Sequence, residues 1–346
     1  MPHPSLSRRA LLAGTAGALG LAAAGCGRGR DDADPGASAG RGGYPLTVEH
    51  RFGATEIPAE PQRIVTVGLT DVDAVLALGA GPRLVGVTDF YEEFAYGVWP
   101  WAQGSLGGAT PEVIPRPEGD RPDLELIAAL EPDLIVGLSS ALTQEDHDAL
   151  SVLAPTVAQL GGFPDRGAPW DEMTLAIGRA LNREEEAAGL VAGVKGRFAG
   201  VSASHPQFQG ASAVVAERLD GTFLVLSPAD PRSRFLEALG FEVPAEVTEP
   251  AGDSGAAPLA EEDLGLLDRD LLVWNAGFSP GLREELADHR VYQSLDAVAQ
   301  GRALIVDDVV VSGALAWSTV LSLPFALERL VPRIAAAVDG DPDTPA

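Results

Sequence analysis

Apolar and β-branched residues in this chain gather in short unbroken runs rather than in strict alternation. Residues 64–69 read Ile-Val-Thr-Val-Gly-Leu, 83–87 read Arg-Leu-Val-Gly-Val, and 133–138 read Asp-Leu-Ile-Val-Gly-Leu. Stretches of helical character, 71–78 and 124–130, fall between them. After residue 200 the pattern starts again, with strand candidates at 213–216, 271–274 and 303–306 and helical stretches at 234–239, 261–267 and 320–338. Strands that are apolar throughout are buried on both faces, and helices between them supply the cover. The expected fold class is α/β: two lobes, each with a mostly parallel sheet covered by helices, joined by one long interlobe helix.

That joining helix is legible between residues 183 and 201. Ala187, Leu190, Val191, Val194, Phe198 and Val201 recur at offsets of 3, 4, 7, 11 and 14, and Glu184, Glu185 and Glu186 place acid in the first turn. The offsets trace one helical stripe, and the helix dipole favours acid at its start. No strand candidate follows for some ten residues, so a connector between lobes is expected, not one more covering helix. The expected boundaries are an N-terminal lobe over 44–182, the interlobe helix over 183–204 and a C-terminal lobe over 205–346. A chain of 346 residues has the length for two such bodies, at about 150 residues per domain.

The first 25 residues carry a different pattern. Arg8 and Arg9 stand directly ahead of a run of small and apolar residues that ends at Cys26. A basic start, a short apolar stretch and small residues before a break describe an export signal. The run is too short and too rich in Gly and Ala to span a bilayer, which takes about 20 apolar residues. The arginine pair resembles the twin-arginine export motif. Ala23-Ala24-Gly25-Cys26 resembles a bacterial lipobox, in which the cysteine is lipidated and becomes the new N-terminus, although Ala23 stands where leucine is usual. The alternative is a plain secretory signal with an incidental cysteine. Residues 26–43 then form a Gly-, Asp-, Arg- and Ser-containing stretch with no apolar period, the composition of a lipidated tether. The expected location is outside the cell, anchored by lipid to the outer face of the membrane.

Charge narrows the partners. The chain has 24 basic and 50 acidic residues, a net −26. Removal of Arg8 and Arg9 with the signal leaves 22 against 50, or −28. Such a surface is repelled by phosphate backbones, so no nucleic acid partner is expected. The single cysteine excludes intramolecular disulfides and multi-cysteine metal sites. Five histidines, His3, His50, His147, His205 and His289, show no metal-ligand spacing. Neither Gly-x-Ser-x-Gly nor a phosphate-binding Gly-x-x-x-x-Gly-Lys occurs, and Ala192 stands three residues before the only lysine, Lys195, so Ser-x-x-Lys is absent too. The sequence therefore reads as a binding protein, with no enzyme, metal site or cofactor expected.

Ligands of α/β sheets sit beyond the carboxyl ends of the strands. Thr70 and Asp71 follow the first strand candidate, Asp89, Phe90 and Tyr91 the second, and Tyr96, Trp99 and Trp101 lie in the loop after it. The second half offers Arg218, Arg232 and Arg234, then Trp274 and Asn275 at a strand end, and Trp317 before the last helix. Four of five tryptophans thus fall in or beside loops, which points to a cleft more than to packing alone. Aromatic faces with a few arginines suit a bulky, partly apolar ligand bearing anionic oxygens. The expected ligand-binding residues are Thr70, Asp71, Tyr91, Tyr96, Trp99, Trp101, Arg218, Arg234, Trp274 and Trp317.

Several ordered segments over residues 44–340 resemble the substrate-binding lipoproteins of bacterial ABC importers for iron–siderophore complexes, whose relatives bind cobalamin or haem. The segments are Gly53–Pro58 with 61–65, 73–79 with 84–87, 122–127 leading to 131–135, and 291–298 followed by Gly301-Arg302. The resemblance implies a two-lobed body, a rigid interlobe helix, a shallow cleft and one glutamate per lobe that docks on the permease. By position these are Glu125 and Glu262, the latter with Ala260 in place of the usual serine and Glu261 leaving the register open. It also implies a monomer that captures a ferric siderophore, whose iron remains held by the siderophore itself.

Alternatives remain at this stage. An anionic complex would use the arginines, whereas a cationic complex such as a ferrioxamine would favour Asp71 and Asp89. A haem binder would need an axial ligand, for which Tyr91 or Tyr96 is the candidate, and cobalamin is the other relative's ligand. A cell-surface α/β enzyme and a structural lipoprotein with a vestigial cleft complete the set.

Overall fold

The computed structural model describes residues 43–91, 94–116 and 121–339. The expected export signal with Arg8 and Arg9, the lipidation site Cys26 and the tether up to residue 42 lie outside the described residues.

The described chain opens with an antiparallel hairpin of β1 (Leu46–His50) and β2 (Gly53–Ile57), in which Leu46 pairs with Ile57 and His50 with Gly53. A five-stranded sheet follows, made of β3 (Ile64–Thr66), β4 (Leu84–Asp89), β5 (Glu112–Pro115), β6 (Leu134–Gly137) and β7 (Thr156–Ala158). Its order is β5-β4-β3-β6-β7 and every pairing is parallel. The chain builds outward from β3 through β5, then crosses back to lay β6 on the other side. The loops after β3 and β6 consequently diverge at a topological switch point, where a crevice opens. All residues of β3, β6 and β7 are buried, as their apolar runs require.

The second sheet holds β8 (Ala213–Leu219), β9 (Thr222–Leu226), β10 (Ala256–Leu259), β11 (Leu271–Asn275) and β12 (Ala303–Val306). Its order is β10-β9-β8-β11-β12. Pairings β8–β11 and β11–β12 are parallel, whereas β8–β9 and β9–β10 are antiparallel. This sheet is mixed, where a mostly parallel one was expected. The cause is local: Asp220 and Gly221 both have positive φ, 49° and 82°, the conformation of a two-residue hairpin turn, and Asp-Gly is its favoured sequence.

Between the sheets in the chain runs the helix Glu184–Ser204. Ala187, Val191, Val194 and Phe198 are buried and Leu190 and Val201 partly so, which reproduces the sequence stripe. One side packs on the helix Trp170–Ala180 and the other on the helices Pro231–Leu239 and Ser322–Ala337. The largest apolar core runs through this layer without a break, from Val75 and Ile177 through Phe198 to Phe235, Leu315 and Leu330. Two smaller cores lie on the outer faces of the sheets, one around Trp274 and Leu272 and one around Val65 and Ile135.

Candidate functional site

A cavity of about 570 Å³ opens where the interlobe helix meets both halves. That is within the range of small-molecule sites. Thr70 after β3 and Ser139 after β6 reach it from the switch point of the first sheet, and Arg166 and Trp170 from the segment after β7. The interlobe helix contributes Lys195, Phe198, Ala199 and Ser202, residues three or four apart and hence on one face. The second half adds Pro231, Arg234, Phe235, Trp317 and Ser318. Two lining residues, Arg166 and Ser318, hold left-handed backbone at φ 57° and 45°, a conformation that costs non-glycine residues and persists only where surroundings enforce it.

The lining is apolar with a few placed charges. Trp170, Phe198, Phe235 and Trp317 supply aromatic faces, and Arg166, Lys195 and Arg234 are its cations. Its acid is Asp171, whose carboxylate lies 2.6 Å from Lys195 Nζ. The Arg234 guanidinium donates to the carbonyl of Ala229. Arg232 turns away from the cavity, buried between Asp230 at 2.8 Å and Glu217, and the two carboxylates hold it protonated.

Of the ten residues expected to touch ligand, Thr70, Arg234 and Trp317 line this cavity. Asp71 lies directly behind it and is 1% exposed; its Oδ1 accepts from the backbone N–H of Ser139 at 2.8 Å. Burial pushes its carboxyl up to about 7, against the opposing pull of the backbone N–H groups of Ser139, Leu138 and Gly68. A Cβ at Gly68 would stand 2.1 Å from Asp71 Oδ2 and 3.0 Å from the backbone of Ser139, so a side chain there forces the Asp71 carboxylate to shift. Asp89 is also buried and caps its own loop by accepting from the N–H of Tyr91 at 2.7 Å.

The other aromatics form a stack beside the cavity rather than its wall. Tyr91 stacks on Trp99 with ring centroids 5.2 Å apart, and Trp99 stacks on Trp101 at 4.7 Å. Trp99 then meets Trp317 edge-on at 4.9 Å, while Tyr91 and Trp317 both contact Phe278. The N-terminal loop is thereby packed onto the second half, and Trp101 Nε1 is spent on Asp73 at 2.7 Å. Tyr96 sits on a turn at φ 62°, half-exposed. Neither tyrosine is among the lining residues, so neither offers haem an axial ligand in this cavity. Among the described residues no group of three or more His, Cys, Asp or Glu is placed to hold a metal.

Two expectations fail outright. Trp274 is fully buried in the core on the outer face of the second sheet, because its β11 position points away from the interlobe layer. Arg218 lies 3.1 Å from Glu285 and is consumed by that ion pair at the edge of β8. Conversely, Trp170, the tryptophan that no loop contains, lines the cavity, as do Arg166, Lys195, Phe198 and Phe235. Phe198 belongs to the stripe read from the sequence, whereas Lys195, Ala199 and Ser202 lie four and three residues apart on the flank beside it, which the apolar periodicity does not mark. Glu125 and Glu262 are both solvent-exposed, on the helix Leu124–Ala129 and the turn Glu261–Leu267, and Glu261 lies 3.7 Å from His289.

Residues 64–309 match the family model described as periplasmic binding protein. A periplasmic solute binding protein from Mycobacterium smegmatis is similar in structure, with 34% identity, a TM-score of 0.74 and coverage of 85% of this chain and 98% of that one. Among curated relatives, a Fe(3+)-citrate-binding protein of Bacillus subtilis is 24% identical over 75% of this chain and 78% of its own length. A probable siderophore-binding lipoprotein of the same organism is 24% identical over 79% of this chain and 82% of its own. No described helix is long and apolar enough to cross a membrane.

Proposed function

The chain belongs to the periplasmic binding protein family, and on that footing we propose that it captures a ferric siderophore complex and delivers it to an ABC importer permease. It is a binding protein and not an enzyme, as its family and relatives are. The observation that carries the reading is the cavity, where four aromatic faces and three cations converge from both halves and the interlobe helix. Aromatic faces cover the apolar rim of a chelate, and guanidinium groups pair with its outer oxygens. The siderophore fills the coordination sphere of the iron, so the protein does not need metal ligands of its own.

The remaining parts follow from the same reading. Residues 44–182 and 205–346 act as the two lobes across the 183–204 helix. Cys26 carries the lipid, residues 26–43 serve as the tether, and the protein works as a monomer at the outer face of the membrane. Glu125 and Glu262, one exposed acid per half, dock on the permease. Glu262 is preferred to Glu261 because the latter faces His289.

The test uses the two tryptophans of the cavity wall, Trp170 and Trp317. Intrinsic fluorescence is followed while ferric citrate, ferric hydroxamates and catecholates, haem and cobalamin are titrated in turn, with inner-filter correction. Saturable quenching at submicromolar concentration by a ferric complex, but not by its iron-free form, is the expected outcome. Response to haem or cobalamin alone moves the ligand, and silence across the panel overturns the proposal.

A further inference from the structure

The hairpin of β1 and β2 belongs to neither five-stranded sheet, and none of its residues lines the cavity. It is fastened to the first half at its base. Thr55 donates its hydroxyl to the carbonyl of Thr156 at 2.7 Å, and the His50 ring lies 4.8 Å from that of His147. Its tip carries Arg51, which engages one loop three times. The backbone N–H of Arg51 donates to the carbonyl of Gln159 at 2.8 Å. Its guanidinium donates to the carbonyl of Phe163 and to the carboxylate of Asp165.

That loop, residues 159–169, runs from the carboxyl end of β7 to the helix Trp170–Ala180. Its last part, with Arg166, Ala168 and Pro169, forms cavity wall and leads directly into Trp170. Connections from strand to helix commonly take about 2–6 residues, so this one is long. Gly161, Gly162 and Gly167 make it intrinsically pliable, and Gly162 and Arg166 are left-handed at φ 85° and 57°. Its course therefore depends on what holds it. Gln159 fixes the start, its side chain bonded to Ser140 at 3.2 Å and to the carbonyl of Leu142 at 2.9 Å. The Arg51 fork takes hold further on, at residues 163 and 165, beside the wall itself.

We infer that Arg51 is a positioning residue for ligand retention: it makes the N-terminal hairpin a brace for the 159–169 loop, and through that loop it keeps the first-half wall of the cavity in place against the ligand. The inference rests on the ferric-siderophore reading and adds a residue, outside the cavity, that governs how long the ligand stays. A guanidinium suits the task, because its planar fork reaches a carbonyl and a carboxylate at once, which an ammonium group does not. Asp165 is half-exposed, and an exposed ion pair adds little to global stability. The contact acts on the loop more than on the fold.

The intact protein and its Arg51→Ala, Asp165→Ala and doubly substituted variants are loaded in turn with ferric citrate, ferrichrome and ferrioxamine B. Dissociation is followed by recovery of tryptophan emission on dilution. Arg283→Ala is the control: Arg283 likewise bonds one carboxylate, Asp307, and one carbonyl, Ile305, but lines no part of the cavity. The expected result is dissociation about tenfold faster in Arg51→Ala, the worth of one charge-assisted hydrogen bond. Asp165→Ala shows a smaller increase, because the bond to Phe163 remains, and the double variant dissociates no faster than Arg51→Ala, since the pair acts as a unit. Arg283→Ala keeps the parent rate. Trypsin cuts after arginine, and cleavage after Arg166 in the unliganded protein is faster in Arg51→Ala but not in Arg283→Ala. Circular dichroism confirms that each variant is folded, and Asp165→Ala decides the matter if Arg51→Ala is not. Unchanged dissociation in Arg51→Ala, or an equal change in Arg283→Ala, overturns the inference while leaving siderophore binding intact. Failure of the parent to bind any of the three complexes overturns both.

Discussion

Thr319 donates its hydroxyl to the carboxylate of Asp73, a residue 246 positions earlier in the chain. The same Oδ2 accepts from Trp101 Nε1, and Thr319 Oγ1 in turn accepts from the N–H of Ser322 at 2.9 Å. This buried network fastens the first helix of the N-terminal half to the corner that carries Trp317 and the left-handed Ser318. Asp73→Ala leaves a buried hydroxyl and an indole N–H without their acceptor, at a cost of about 2–4 kcal/mol. Asp73→Asn, which keeps one acceptor oxygen, recovers part of that loss. Urea unfolding of the two variants beside the parent measures the difference.

Asp71 and Asp73 also set a pH dependence. Burial raises their carboxyls from 3.8 to about 7 and about 6. A raised carboxyl means that the fold favours the protonated form, so its contribution is full below about pH 4 and is lost as pH rises through 6 to 7. Asp71→Asn removes the ionisation, and its stability relative to the parent rises between pH 4 and pH 8. His50 works in the other direction. Burial, with His147 beside it, lowers its imidazole to about 4, so its contribution is present above pH 6.5 and lost as pH falls towards 4. Thermal melts across pH 4–8 for parent, Asp71→Asn and His50→Gln separate the two slopes.

Gly313 lies beneath the six-membered ring of Trp99, where a Cβ would stand 2.4 Å from Trp99 Cη2. The helix Val309–Trp317 approaches the aromatic stack this closely only because it has no side chain there. Gly313→Ala forces the ring or the helix to move and destabilises the protein by about 1–3 kcal/mol. Displacement of Trp99 also disturbs Trp317, which it meets edge-on. A lowered midpoint in denaturant, together with a shifted emission maximum, is the expected result.

Two tryptophans separate affinity from stability. Trp170→Ala removes an aromatic face of the cavity and weakens ligand binding by about tenfold, the worth of a buried aromatic contact. Trp274→Ala empties a fully buried site in the outer core of the second sheet and costs about 3–5 kcal/mol of stability. A conservative Trp274→Phe, folded well enough to titrate, binds ligand as the parent does. Equal losses of affinity in Trp170→Ala and Trp274→Phe would contradict the assignment of the cavity wall.

Lipidation at Cys26 is checked by replacing it. Cys26→Ser in the native host is expected to release the protein from the membrane fraction into the surrounding fluid, and the mass of the anchored parent, but not of the variant, carries acyl chains. Two acyl chains hold a protein at a bilayer far more firmly than one, so partial retention of Cys26→Ser at the membrane would speak against the lipobox.

Features encoded by neighbours along the chain are legible before any fold is known. The unbroken runs at 64–66, 134–137 and 303–306 had to be buried strands, and the six-residue stripe from Ala187 to Val201 had to be one helical face, because local periodicity reports burial directly. Even the Asp220-Gly221 hairpin that makes the second sheet mixed was written in two adjacent residues. Which side chains share the cavity depends instead on how distant segments pack. Trp274 and Trp317 both end elements near loops, yet one points into the outer core and the other to the interlobe layer. Arg218 and Arg234 have the same composition signal, but Glu285 is brought to one of them from 67 residues further along the chain. Trp170, Lys195 and Arg234 meet because three helices pack together, and a contact between distant segments depends on that packing rather than on any pattern within a segment.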